Sequence, residues 1–412
     1  MFSQTVKCTV LVLLVAFAAA GPAYCKTFER LQPEITPNYQ PDISGTEAGL
    51  WMVFNKAEES LKTSPNRLKD PELDHYLKTV ICKLSEKFCP EIRVYVMRMP
   101  YFNANMAPNG VMQVWTGLLL RVNNEAQLAT VLGHEMGHYL RRHSLKSFED
   151  LKHKSVLYTF LSLGIEGALA AGGINPDLGY AAMDMNRVLT YASLFAFSRN
   201  QEREADKYGI QLLNNTQLSL EQAPVIWGNL IAEEKSAQHE KKHRSIFFAT
   251  HPAPKERLAN LKEYVQELSE EDGSSGHDNL NAGKYWKYVG PHLPMLLEDE
   301  INLNQFGRTL YVLRNLLDNN IEPGIVRYYM GELYRRRNKK GDIQLAIQNY
   351  LQAIDNNNCP AEAHRSLGLL YYKNGDRASA RKEFQKYLDH KPDASDHEMI
   401  QFYISSLSGD SK

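Results

Sequence analysis

His134, Glu135 and His138 stand in the order H-E-x-x-H, the spacing at which two imidazoles on a single helix reach one metal ion. Residues four apart share a helix face, so both rings converge, and the glutamate between them lies beside a metal-bound water as general base. The bare pattern is weak evidence, and this chain carries it twice, again as HEKKH at His239 to His243. The flanks separate the two copies. Around His134 the stretch Asn124 to His143, NEAQLATVLGHEMGHYLRRH, predicts an amphipathic helix. Asn124 is its N-cap, and Leu128, Val131, Leu132, Met136, Tyr139 and Leu140 recur at helical spacing. A helix with a buried face holds ligands in a dry, fixed geometry. Gly133 and Gly137 leave room for a neighbouring backbone. Around His239 the flanks AEEKSAQ and KKHR are almost wholly polar, which reads as a solvated charged segment.

A catalytic zinc needs a third protein ligand and an open position. The stretch Val188 to Leu213 reads as a second long helix, with Phe195, Ser198, Glu202, Ala205, Asp206 and Gly209 at helical intervals. Glu202 on that helix could close a His-His-Glu site. Asp206, one turn later on the same face, could accept a hydrogen bond from a ligand imidazole and set its tautomer. Further on, His251-Pro252-x-Pro254 cannot continue a helix, so His251 belongs on a loop that leads into one.

HEMGH, then SRNQEREAD, then THPAPKER resembles the family of integral-membrane and periplasmic zinc peptidases that includes HtpX and the CAAX prenyl proteases. With its tetratricopeptide tail, the chain is most similar to the BepA type of periplasmic peptidase and chaperone, from about Leu50 onward. The resemblance implies one Zn2+ per chain and makes Glu202, the first Glu of E-x-x-A-D, the third ligand. His251 becomes a removable fourth ligand that blocks the water position until its loop moves. Arg257, closing the same motif, anchors that loop or contacts a substrate carboxylate. The implied clients are unfolded or misassembled proteins, outer-membrane β-barrel proteins and their assembly machinery, met in the periplasm through the repeats.

The rest of the chain supplies an exported, multidomain frame. Lys7 precedes the apolar run Cys8 to Ala20 and the small residues Gly21 to Ala23, so 1–25 reads as a signal peptide. In an oxidising compartment the spacing of Cys82 and Cys89 allows a local disulfide. Net charge is −1, which offers nucleic acid no basic surface. Residues 26–48 are rich in Pro and polar types and read as extended. Helices follow over Gly49 to Lys62 and Asp70 to Lys87, then a strand over Ile92 to Met97. Pro108-Asn109-Gly110 forms a turn into a second strand, Val111 to Trp115. We expect that strand to be an edge on which an extended substrate lies, with Val111, Gln113 and Trp115 as contacts. Val156 to Gly173 is the most apolar stretch after the leader. It is short for a membrane span and carries Glu166, so it reads as an apolar lid or a peripheral membrane contact.

The peptidase domain is thus expected over 49–269, with a polar, Gly- and Ser-rich linker over 270–300. Beyond it, Ala361 to Ala394 carries Leu367, Gly368, Tyr371, Ala380, Phe384, Tyr387 and Pro392 in tetratricopeptide register, preceded by a copy with Gly331, Tyr334, Ala346, Tyr350 and Ala353. Three extra residues are assigned to the turn near Asn338 to Lys340 of that earlier copy. Leu303 to Leu317 reads as a degenerate earlier helix pair and His397 to Leu407 as a capping helix, giving a repeat domain over 301–412. The expected class is α+β: a mainly helical zincin-type peptidase with a small sheet, followed by a helical repeat solenoid. The expected activity is zinc-dependent endopeptidase with chaperone function. A repeat-based assembly factor with a silenced site, and a membrane-associated processing peptidase, are the alternatives.

Overall fold

The computed structural model describes residues 28–152, 196–237, 246–272 and 279–407. The signal-peptide stretch, the apolar segment Val156 to Gly173 and the second motif at His239 to His243 lie outside the described residues.

The chain enters as an irregular segment from Phe28 and forms helix α1 (Thr46–Thr63) and helix α2 (Pro71–Leu84). Asp70 caps α2 by accepting from the amides of Glu72 and Leu73. Strands β1 (Arg93–Met97), β2 (Ala104–Met106) and β3 (Val111–Trp115) follow, and Gly110, at φ +83°, makes the turn into β3. The strand order is β1-β3-β2. This corrects the edge-strand expectation: β3 pairs in parallel with β1 and antiparallel with β2, so both its backbone edges are used. Val111, Gln113 and Trp115 are all buried and offer no free edge to a peptide. Strand β2, absent from the sequence reading because three residues show no periodicity, is one of the two outer strands, with β1 the other.

Helix α3 (Thr116–Arg121) leads to helix α4 (Glu125–Leu140), which carries His134 to His138, and helix α5 (His143–Lys152) follows. Every residue of α4 is buried, and the Asn124 side chain accepts from the Gln127 amide as its cap. The second metal-site helix, α6 (Arg199–Asn214), is shorter than Val188 to Leu213. Residues 196–198 are not helical, because Ser198 and Gln201 form a reciprocal capping box that starts the helix at Arg199. Helices α7 (Gln222–Ser236), α8 (Ile246–Thr250) and α9 (Pro254–Asp272) complete the N-terminal unit.

The expected linker is largely structured. Helices α10 (Ala282–Val289) and α11 (Leu293–Asn302) bury Tyr285, Val289, Leu293, Leu296 and Leu297 in the core shared with the peptidase. Burial of these aromatic and aliphatic side chains outweighs the polar composition just upstream. In place of a degenerate pair over Leu303 to Leu317 stands one helix, α12 (Phe306–Asp318), which packs on helix α13 (Pro323–Arg337). Helices α13 and α14 (Asp342–Ile354) form one repeat, α15 (Glu362–Lys373) and α16 (Arg377–His390) the next, and α17 (His397–Leu407) caps the stack. The extra residues of the first repeat are not confined to its turn, since α13 itself runs on to Arg337. The large-on-small rule of the repeat is explicit: the Tyr350 ring covers Gly331, and a Cβ on Gly368 would meet the Phe384 ring at 2.7 Å. One hydrophobic core runs from Phe28 to Leu370, so the N-terminal unit shares it with the first repeat and with α15 of the second.

Two predictions follow from this packing. A Cβ on Gly209 of α6 would lie 2.9 Å from the His134 amide nitrogen of α4, whereas one on Gly228 of α7 meets nothing within 4 Å. Gly209→Ala is expected to destabilise the protein by about 1–3 kcal/mol, and Gly228→Ala to stabilise it by up to about 1 kcal/mol, as read by urea unfolding. Glu332 bridges the repeats by accepting from Tyr350 Oη at 2.6 Å and Ser366 Oγ at 2.8 Å. Burial alone would raise its pKa, but Arg335, Tyr350 and Ser366 hold it below the ordinary value. Its contribution is therefore present above the unfolded-state pKa and lost as pH falls through the folded one. Glu332→Gln should flatten the acid limb of a melting-temperature profile and lower stability at neutral pH.

Candidate metal centre

Glycine sets the spacing between the two helices of the site. A Cβ on Gly137 would stand 2.9 Å from the Ala205 carbonyl oxygen, and one on Gly133 would stand 3.2 Å from that of Gly209. With hydrogen in those places, α4 and α6 approach backbone to backbone. Glu202 and Asp206 of α6 thereby reach His134 and His138 of α4. The chain returns through Phe247 to His251 on the short segment after α8, where Ala253, at φ +60°, turns it into α9.

His134, His138, Glu202 and His251 each offer a ligand atom, and these atoms lie within 4.8 Å of one another. His134 Nε2 is 3.0 Å from His138 Nε2 and 3.4 Å from His251 Nδ1. Glu202 Oε1 is 3.0 Å from His251 Nδ1 and 3.5 Å from His138 Nε2. Ligands about 2.1 Å from a tetrahedral zinc are separated by roughly 3.4 Å from one another, so this donor set fits the ion. Glu135 Oε1 and His251 Nε2, 3.8 Å apart, are buried and without hydrogen-bond partners among the described residues. Buried polar atoms left in that state suit a centre that a metal and a water complete.

The electrostatics agree with that fit. Burial lowers the proton affinity of His134 and His138, aided by Arg257 at His134 and by the neighbouring rings at His138, and so keeps both in the neutral form that binds metal. Burial, with Glu202 beside it, pushes the Glu135 carboxyl well above the usual range. Asp206 accepts from His134 Nδ1 at 3.0 Å, the role expected of it. Burial would raise its pKa, yet the Arg257 guanidinium and the His134 bond hold it down at about 2.

Arg257 is not a substrate contact. Its side chain is buried, pairs with Asp206 at 2.6 Å and Glu202 at 2.8 Å, and lies over the Trp227 ring at 4.6 Å. So enclosed, the cation ties α9 to α6. Rings fix the ligands in turn. Phe197 stacks on His138 at 3.8 Å and Phe247 on His251 at 4.5 Å. The sequence reading missed Phe197, Trp227 and Phe247, because aromatic residues at these spacings look like any core. It also missed His143, buried beside His138, although a histidine just past the helix end was a visible signal. Cys82 and Cys89 are placed as a disulfide pair, with Cα atoms 4.8 Å apart.

Fold and site have the layout of an H-E-x-x-H metal centre to which a second helix brings a carboxylate. Residues 67–265 match Peptidase family M48 and residues 335–375 match a TPR repeat. It is similar to the Beta-barrel assembly-enhancing protease of Escherichia coli (strain K12), 25% identical over 280 residues, 65% of this chain and 54% of that protein. It is also similar to the Mitochondrial metalloendopeptidase OMA1 of Schizosaccharomyces pombe, 28% identical over 176 residues, 42% of this chain and 47% of that protein. With the OMA1 of Arabidopsis thaliana the identity is 31% over 167 residues, 40% of this chain and 30% of that protein. The chain spans about half the length of the first of these relatives. M48 metallopeptidases are zinc-dependent, and the buried cluster suits that ion.

A change at Asp206 tests the arrangement while leaving every candidate ligand in place. Asp206→Ala removes the acceptor of His134 and one of the two carboxylates paired with Arg257, and is expected to weaken zinc binding about 10–100-fold in a chelator competition.

Proposed function

We propose that this protein is an exported zinc endopeptidase of unfolded or misassembled proteins, working in the quality control or assembly of outer-membrane β-barrel proteins. The observation that carries the peptidase reading is the convergence of His134, His138, Glu202 and His251 on one point beside Glu135. Bound there, zinc would supply Lewis-acid polarisation of a carbonyl and acidify a water. Glu135 would take the proton of a water that attacks the scissile carbonyl and hand it to the leaving amine. Its raised proton affinity suits a carboxylate that must hold a proton between those two events.

His251 has to leave first. Its Nδ1 stands among the ligand atoms and its Nε2 faces Glu135, so its ring fills the space the water needs. Phe247, on the same segment, packs against Phe102 at 4.9 Å, next to the entry of β2. Withdrawal of the segment therefore uncovers the site.

The name of the Escherichia coli relative supports β-barrel assembly as the process, and the disulfide supports an oxidising compartment such as the periplasm. The repeats add a surface for an assembly partner. One observation favours a second reading, an assembly factor with a silenced peptidase: all five residues of the site are at most 2% exposed.

Zinc content and casein cleavage of wild type, Glu135→Gln, Glu202→Ala and His251→Ala separate the readings. The peptidase reading expects stoichiometric zinc in wild type, its loss in Glu202→Ala, a fall of about 10²–10⁴-fold in cleavage with zinc retained in Glu135→Gln, and faster cleavage in His251→Ala. If Glu202→Ala keeps its zinc and no variant cleaves, the ligand assignment is wrong and the assembly-factor reading takes its place.

A further inference from the structure

We infer that His143 is a positioning residue of the metal centre: it holds His138 in the tautomer that presents Nε2 to the metal, and is itself held by Glu204 and Arg141. The inference rests on the metal-site reading above and deepens it.

His138 has two ring nitrogens with different neighbours. Nε2 faces the ligand cluster, 3.0 Å from His134 Nε2 and 3.5 Å from Glu202. Nδ1 faces away from it and lies 2.9 Å from Nδ1 of His143. A neutral imidazole whose Nε2 lone pair binds a metal carries its hydrogen on Nδ1, so His138 donates and His143 Nδ1 accepts. The hydrogen of His143 then resides on Nε2, which is 3.4 Å from Glu204 Oε2. Glu204 in turn accepts from Arg141 Nε at 3.1 Å and Nη2 at 3.0 Å. Donor and acceptor alternate without conflict along the whole path from the metal position to Arg141.

The local fold is built to make this contact. Helix α4 ends at Leu140, and Arg142, at φ +55°, turns the chain so that His143 folds back beneath His138. Arg142 is held in that conformation by its pairing with Glu47 and its stacking over the Tyr39 ring at 5.3 Å. His138 and His143 are 0% exposed, so no solvent can take over the acceptor role. The two histidines of the motif are thus supported differently. His134 rests directly on the buried carboxylate of Asp206, whereas the carboxylate serving His138 is one ring further out, on a Glu204 side chain that is 39% exposed. A neutral ring between ligand and carboxylate orients His138 without placing a second buried anion beside Glu135 and Glu202.

The test is zinc affinity of the full chain, measured by chelator competition, with thermal melting of the metal-free proteins alongside. Asparagine can place an amide oxygen near the former Nδ1 and keep the acceptor, whereas leucine fills the space without one. His143→Leu is expected to weaken zinc about 10–100-fold, while His143→Asn stays within about threefold of wild type. Glu204→Ala should show a smaller loss, and adding it to His143→Leu should cost nothing further, because the two act through one path. Wild-type affinity in His143→Leu overturns the inference, and so does an equal loss in His143→Asn, which would make the effect one of packing. If His143→Leu does not fold, the half-exposed Glu204 decides: unchanged zinc affinity in a folded Glu204→Ala overturns the inference. Failure of wild type to bind zinc is a different outcome, one that also removes the metal-site reading.

Discussion

The close contact of α4 with α6 is the constraint on which the rest of the structure depends. Gly133 and Gly137 of α4 face Gly209 and Ala205 of α6, so at these points the two backbones approach with no large side chain between them. At that distance a glutamate on one helix reaches the imidazoles of the other with no loop intervening. Helices are stiff, so ligands held this way keep their mutual spacing when the surrounding loops move. The one ligand not mounted on either helix, His251, sits on a short segment between α8 and α9. Three of the candidate ligands are thus mounted on two packed helices and the fourth on a short connection.

Charge is balanced around this contact in an economical way. Glu202, Asp206 and Arg257 form a buried ionic group in which a single guanidinium serves two carboxylates, and Trp227 covers its face. An unpaired carboxylate at that depth would be costly, so Arg257 is what allows two acids to stand so near Glu135. A comparable buried group, Arg121 with Glu233 and Glu300, joins α3, α7 and α11, and Arg98 grips Asp299 with both carboxylate oxygens at 2.8 Å. These pairs tie the peptidase sheet and its neighbours to the first helix of the C-terminal stack. Together with the continuous core, they make the repeats an extension of the peptidase body.

The sequence by itself determined the chemistry. H-E-x-x-H on a helix with an apolar face and Glu202 at helical spacing on another point to a metal site, because metal geometry restricts residue types and helical periodicity restricts spacing, while His251 joined the candidates only through resemblance to a family. The repeat register was equally visible, since Gly331 with Tyr350 and Gly368 with Phe384 answer to a local packing rule. Tertiary structure alone decided what depends on separations of many residues. Strand order made β3 central and β2 outer, a choice that hydrogen-bond pairing makes and alternation cannot reveal. Arg257 became an internal counter-ion because Asp206 and Glu202 lie where α9 begins, and nothing in its flanks distinguished it from a surface arginine. His143 acquired its place from one backbone turn at Arg142. Local rules write residue types and periods into the sequence, whereas the neighbours of a buried charge are set by how the elements pack.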